Sequence, residues 1–189
     1  MCRNVSDWLV RISNGWVALA TLIAFALFIA FVLPNQSTQG KAGGTEVGSP
    51  DLSLWYTPAE LYHMAEAYGL VGRQAYIRAR FSFDVAWPLV YGAFLVTAIG
   101  WLYARAFEPH SVWRLANLAP VMGVLLDWAE NVSTSLVMAR YPARTPGIDL
   151  LAPVFTLVKW VFVGGSFLLL LVGLVAAIWQ WVRTKAGHS

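Results

Sequence analysis

Charge is scarce in this chain. Of its 189 residues only 12% are Asp, Glu, Lys or Arg, about half the share of an average soluble domain. Thirteen basic and ten acidic residues leave a net charge of +3, scattered along the sequence. That excludes the concentrated basic face on which nucleic-acid binding depends. Cysteine is scarcer still. Cys2 stands alone, which excludes an internal disulfide and thiolate sites for zinc or iron–sulfur clusters. Beside a membrane helix a lone cysteine is a candidate for acylation, though an inert thiol is the commoner outcome. A nucleophilic triad and a glycine-rich loop that would cradle phosphate are both missing. So are internal repeats and the inverted two-fold pattern that many transporters carry.

What is present is apolar. Hydrophobic residues make up 58% of the chain, and its mean hydropathy is +0.59, the composition of an integral membrane protein. Four runs, Trp16 to Leu33, Phe83 to Tyr103, Leu115 to Met138 and Leu150 to Trp181, are each long enough at about 1.5 Å per residue to cross a hydrocarbon core of about 30 Å. Trp16, Trp101, Tyr103, Trp179 and Trp181 crowd the ends of these runs, where rings with an apolar body and a polar tip favour the interface. The predicted fold is an all-α membrane protein: a four-transmembrane-helix bundle forming one polytopic domain over residues 1–189.

The first run is read as a retained anchor rather than a signal peptide, because Phe31-Val32-Leu33-Pro34 offers no small-residue cleavage pattern. Orientation follows from the loops. Arg3, Arg11, Arg105, Arg114, Arg183 and Lys185 against Asp7 and Glu108 give one side a net +4. Lys41, Arg73, Arg78, Arg80, Arg140 and Arg144 against Glu46, Asp51, Glu60, Glu66 and Asp149 give the other +1. The basic counts tie, so the decision rests on segment length: the first set lies entirely in short segments close to helix ends. Both termini are therefore expected in the cytoplasm of a cell carrying this protein in its inner or plasma membrane.

The non-membrane piece 34–80 is expected outside. Its first part, PNQSTQGKAGGTEVGSP, has the Gly/Ser/Thr-rich composition of a flexible linker. Thr57-Pro58-Ala59-Glu60 then signals a helix start, with Thr as N-cap, Pro at the first position and Glu completing a capping box. That helix is expected to end at Tyr68 before Gly69. Leu61, Met64, Ala65 and Tyr68 form its apolar side, so it is predicted to be an amphipathic helix lying flat on the outer membrane surface. Arg73 to Phe81 contains no breaker and is expected to continue into the second membrane helix, which Pro88 should kink.

Inside the runs, ionisable residues are costly and usually face a protein interior or a functional cavity. Asp127, Glu130, Asn131 and Thr134 occupy i, i+3, i+4 and i+7, which places them on one face of the third helix together with Gly123 and Pro120. Lys159 shares a stripe with Thr156 and Ser166 on the fourth helix. Counted inward, Glu130 lies eight residues from Met138 and Lys159 nine from Leu150, so antiparallel packing sets them at one depth. Asp84 and Tyr91 share a face of the second helix. The candidate ligand-binding or polar-core residues are thus Asp84, Tyr91, Asp127, Glu130, Asn131 and Lys159, with a formal charge of −2. That imbalance calls for a proton, a bound cation, or an arginine from Arg78, Arg80 and Arg140.

Blander readings compete. The 23 residues from Trp160 to Val182 suffice to span, which would let Lys159 snorkel to the interface. Glu130 and Asn131 would serve equally as a register-fixing network, at about 0.6 kcal/mol per contact. His63, between Glu60 and Glu66, is read as solvated, and no metal site is predicted. Asn131-Val132-Ser133 matches a glycosylation acceptor but lies within a membrane helix, and Asn35-Gln36-Ser37 sits too near the membrane to be used.

The stretch YTPAELYHMAEAYGLVGRQAYIRARFSFDVAWPLVYGAFL, followed by LANLAPVMGVLLDWAEN, resembles a family of small four-helix bacterial integral membrane proteins of unassigned activity. The likeness covers Tyr56 to Asn131. It implies the architecture and a prokaryotic setting, and brings no catalytic residues.

Three functions are compatible with these features. The first is a ligand-binding or transport-related bundle whose carboxylates take an amphiphilic or cationic small ligand beneath the helix Pro58 to Tyr68. The second is an accessory subunit that uses Gly164, Gly165 and Gly173 for close helix contacts, within the chain or with a membrane protein partner. The third is a lipid- or isoprenoid-modifying enzyme with Asp127 or Glu130 as acid/base and Lys159 or a divalent ion opposing negative charge. They are favoured in that order, with cofactor and substrate open.

Overall fold

A computed structural model describes residues 2–34, 48–50 and 53–186. Among them every regular element is helical. The linker after Pro34, the Asn35-Gln36-Ser37 triplet and His188 lie outside the described residues.

The chain opens with α1, Cys2–Ile12, which the run-based reading passes over because its apolar residues are spaced rather than contiguous. Val5, Trp8, Leu9 and Ile12 recur at helical intervals and lay down an apolar stripe. After Ser13, the side chain of Asn14 caps the next helix, accepting from the N–H groups of Trp16 and Val17 at 3.0 Å each. That helix, α2, runs Gly15–Leu27 and widens into a π-helical stretch at Phe28–Val32.

The start signal at Thr57 is realised. In α3, Pro58–Ala67, the Thr57 hydroxyl accepts from the Glu60 N–H at 3.2 Å while the Glu60 carboxylate accepts from the Thr57 N–H at 2.7 Å. Gly69 then takes φ +60°, the left-handed turn that separates α3 from α4, Gly69–Arg80. A break at Phe81 and Ser82 follows, where an uninterrupted helix was expected, before α5, Phe83–Ala106, with Pro88 inside it. A 3-10 turn at Val112–Leu118 leads into α6, Ala119–Arg140, and α7, Ile148–Ala186, closes the described chain.

Among the described residues three stretches are long and apolar enough to cross a membrane: Gly15–Val32, Gly69–Ala106 and Ile148–Ala186. The expected third span falls on α6. At 22 residues α6 has the length, but Asp127, Glu130 and Asn131 dilute its hydropathy, and it is not among the three.

The contacts divide the chain into two compact units. One comprises residues 1–26, 90–122 and 162–189, the other 27–89 and 123–161. In the first, Tyr103 is fully buried and donates its hydroxyl to the Leu169 carbonyl at 3.0 Å. Thr21 and Thr97 share a hydrogen bond at 2.8 Å, and Phe25 stacks on Phe94. In the second, Leu61, Tyr62 and Ala65 of α3 pack with Tyr56, Tyr76, Val137, Met138 and Ala152. The apolar face of α3 therefore rests on α6 and α7, where the sequence suggested a membrane surface. The structural reason is that Val137, Met138 and Ala152 offer fully buried partners for it.

The cap of α3 yields a pH-dependent expectation. Hydrogen bonds from the Thr57 N–H, and then from its hydroxyl, hold the Glu60 carboxyl below its ordinary value of 4.5. A folded-state value that is depressed contributes stability above the unfolded value and loses it as pH falls through the folded one. Protection factors of the amides across Pro58–Ala67, corrected for the intrinsic pH dependence of exchange, should thus be constant above about pH 4.5 and fall on acidification. Glu60→Gln should remove the carboxylate-linked part of that acid limb. Thr57→Ala should cost about 1 kcal/mol of helix stability, speeding exchange roughly fivefold near neutrality.

Candidate functional site

The polar site is built from α6 outward. The Glu130 side chain is 1% exposed and forms an ion pair with Lys159 of α7 at 2.5 Å. Lys159 is itself buried, with its ammonium turned to α6. The other carboxylate oxygen, Glu130 Oε1, accepts from the Thr156 hydroxyl at 2.8 Å, and Thr156 Oγ1 lies 3.1 Å from Tyr56 Oη. Thr156 has a single hydroxyl proton. When it donates to Glu130, Tyr56 must be the donor to Thr156, giving a directional relay Tyr56 to Thr156 to Glu130. Tyr56 lies just before α3, so the relay ties the entry of that helix to the ion pair.

A second group sits alongside. Asn131 donates to the Asp84 backbone carbonyl at 3.1 Å and to Asp127 Oδ1 at 3.4 Å. Asp84 pairs with Arg80 at 3.1 Å, and the buried Arg80 guanidinium also lies over the Tyr76 ring, 4.4 Å from its centre. Of the three arginines that could supply an extra cation, Arg78 and Arg140 remain exposed. Arg80 is the one that enters. With it, three acids face two cations and the formal charge falls from −2 to −1.

The second unit therefore holds Asp84, Asp127, Glu130, Asn131 and Lys159 together. Tyr91 belongs to the first unit, where it is buried. Ser166, expected on the Lys159 stripe, also lies in the first unit and bonds the Phe162 carbonyl.

A third locus escaped the sequence. Tyr62 Oη accepts from the Thr145 N–H at 2.6 Å and donates to Asp149 Oδ2 at 3.2 Å. Arg144 covers the Tyr62 ring at 4.6 Å. Here α3 borders an open cleft of about 330 Å³ lined by Tyr62, His63, Glu66, Tyr141, Pro142 and Arg144. No family model, curated protein or solved structure matches the chain.

These loci offer charge, hydrogen bonding and aromatic faces. Among the described residues no three His, Cys, Asp or Glu side chains come together as a metal cage. The signal for the third locus was faint: Tyr62 reads as one more apolar residue of α3, and Asp149 as one more loop charge. Only the fold, by laying α3 across the starts of α7 and its preceding turn, makes them partners.

Proposed function

We propose that the chain is a membrane-embedded ligand-binding or transport-related protein whose polar centre in the second unit takes an amphiphilic cation. The observation that carries this reading is the residual negative charge: Asp84, Asp127 and Glu130 outnumber Arg80 and Lys159 in a largely buried setting. One positive charge would balance it. The cleft beside α3, with Glu66, His63 and two tyrosine rings, adds an approach suited to such a ligand.

The threading belongs to the same reading. The 22 residues of α6 are enough to span. Arg3, Arg11, Arg105, Arg114, Arg183 and Lys185 lie in short segments close to helix ends. Together these support α6 as a fourth spanning helix, with both termini on the cytoplasmic side and α3 on the other.

The test uses tetraphenylphosphonium as the probe. Purified wild-type protein should bind it, and Asp127→Asn should weaken binding at least tenfold, about 1.4 kcal/mol, with little change in thermal unfolding. Equal binding by the variant sinks the proposal. A second reading, a structural or accessory subunit, is favoured by how completely Glu130 and Lys159 are enclosed. Under it neither protein binds the probe, and substitutions at the ion pair alter stability alone.

A further inference from the structure

The first helix is apolar on the side that the protein leaves uncovered. Val5, Trp8 and Ile12 of α1 are 44%, 57% and 43% exposed, and at i, i+3 and i+7 they form a single stripe. The opposite side is fastened. Ser6 is fully buried and its hydroxyl reaches Asn117 Oδ1 at 2.8 Å and the Arg114 carbonyl at 3.1 Å. Asn117 returns a bond to the Ser6 carbonyl at 3.1 Å, and Arg3 donates to the His110 carbonyl at 3.1 Å. These bonds fix which way α1 is turned, so the exposure of the stripe follows from the fold rather than from a free end.

What covers the stripe is indicated by its neighbour in the chain. Only Ser13 and Asn14 separate α1 from α2, whose own surface is apolar and open: Trp16 is 82% exposed, and Leu19, Leu22 and Ile23 about half. The uncovered face of α1 leads directly into a membrane-spanning surface. Its polar flank, with Arg3, Asp7 and Arg11, has the amphipathic make-up of an interfacial helix, in which Arg11 can stay at phosphate level while the stripe enters the acyl boundary.

We infer that α1 is an interfacial anchor whose Val5, Trp8 and Ile12 insert into the phospholipid bilayer at the N-terminal end of α2, while on its far side Ser6 holds the 3-10 turn and Arg3 the His110 carbonyl just before it. The occupant is lipid. The inference rests on the membrane reading of α2 and is independent of any ligand at the polar centre. Through Asn117 and the Arg114 carbonyl, the depth of α1 in the interface is coupled to the connection between α5 and α6.

Single nitroxide labels test this in full-length protein carrying Cys2→Ser, reconstituted in nanodiscs of phosphatidylcholine and phosphatidylglycerol. Labels at Val5→Cys, Trp8→Cys and Ile12→Cys should collide with oxygen several-fold more than with a water-soluble nickel chelate. A label at Asp7→Cys should show the reverse preference. If the stripe labels behave like Asp7→Cys, the helix lies in water and the inference fails. If they are shielded from both reagents and broaden one another between molecules, a second copy of the chain covers the face and the inference also fails. Should Trp8→Cys not fold, Val5→Cys and Ile12→Cys keep the tryptophan and discriminate in the same way. A label at Leu22→Cys, on the exposed apolar surface of α2, reports separately whether α2 enters lipid.

Discussion

Lys159→Met is expected to destabilise the protein by about 3–5 kcal/mol, because it strips the counter-ion from a carboxylate that is 1% exposed. Coulomb attraction is not the main contributor. A buried ion pair roughly offsets its own desolvation, and the large penalty appears only when one partner is left behind. Glu130→Gln should be damaging for the converse reason, leaving the lysine ammonium in the same enclosure. The double variant Glu130→Leu with Lys159→Met removes both charges and should regain most of the loss. Thr156 would then lose its carboxylate acceptor but keep the Ala152 carbonyl at 3.1 Å, so no hydroxyl is stranded. Thermal unfolding of wild type, Glu130→Leu, Lys159→Met and the double variant in one detergent closes the double-mutant cycle. A Lys159→Met protein as stable as wild type would mean that the pair is not enclosed. A double variant no better than the singles would mean that the enclosure depends on charge rather than on shape.

This pair also marks how far the sequence could be read. Counting residues inward from Met138 and Leu150 set Glu130 and Lys159 at one depth, and the helical stripe turned Asp127, Glu130 and Asn131 to one side. Both inferences need only the regularity of the helix, and Glu130 and Lys159 are in contact. Arg80 was one of three candidates, and its i, i+4 spacing from Asp84 was a sequence signal that separated it from Arg78 and was not used. The distinction arises because Arg80 is four residues before Asp84, across the break at Phe81 and Ser82, where it can reach back to pair at 3.1 Å. Where the reading failed, it treated elements singly. An amphipathic helix declares an apolar face without naming what that face meets: in α3 it meets Val137 and Met138, whereas in α1 it stays uncovered. Hydrogen bonds such as Tyr62 to Asp149, 87 residues apart, depend on tertiary approach and leave no local trace.

The glycines of α7 divide more sharply than their spacing suggests. Gly164, Gly165 and Gly173 were grouped as sites of close helix contact, yet a methyl group added at Gly164 or Gly165 meets nothing within 4 Å. At Gly173 it would lie 2.5 Å from Cε2 and 2.9 Å from Cδ2 of Tyr103. The ring has little room to yield, since Tyr103 is fully buried and its hydroxyl is bonded to the Leu169 carbonyl one turn earlier on α7. Gly173→Ala should therefore destabilise by about 1–3 kcal/mol, the usual cost of overfilling a packed site. Gly164→Ala, mid-helix and unobstructed, should instead gain up to about 1 kcal/mol from helix propensity. The two substitutions are chemically identical and nine positions apart on one helix, so opposite shifts in thermal unfolding isolate the contact with Tyr103 from any general effect of alanine. Adding Tyr103→Leu to Gly173→Ala provides the control: the shorter side chain vacates the space in question, and the combined loss should fall below the sum of the two single losses. Strict additivity would place the clash elsewhere and break the assignment of Gly173 as a site held open for the Tyr103 ring.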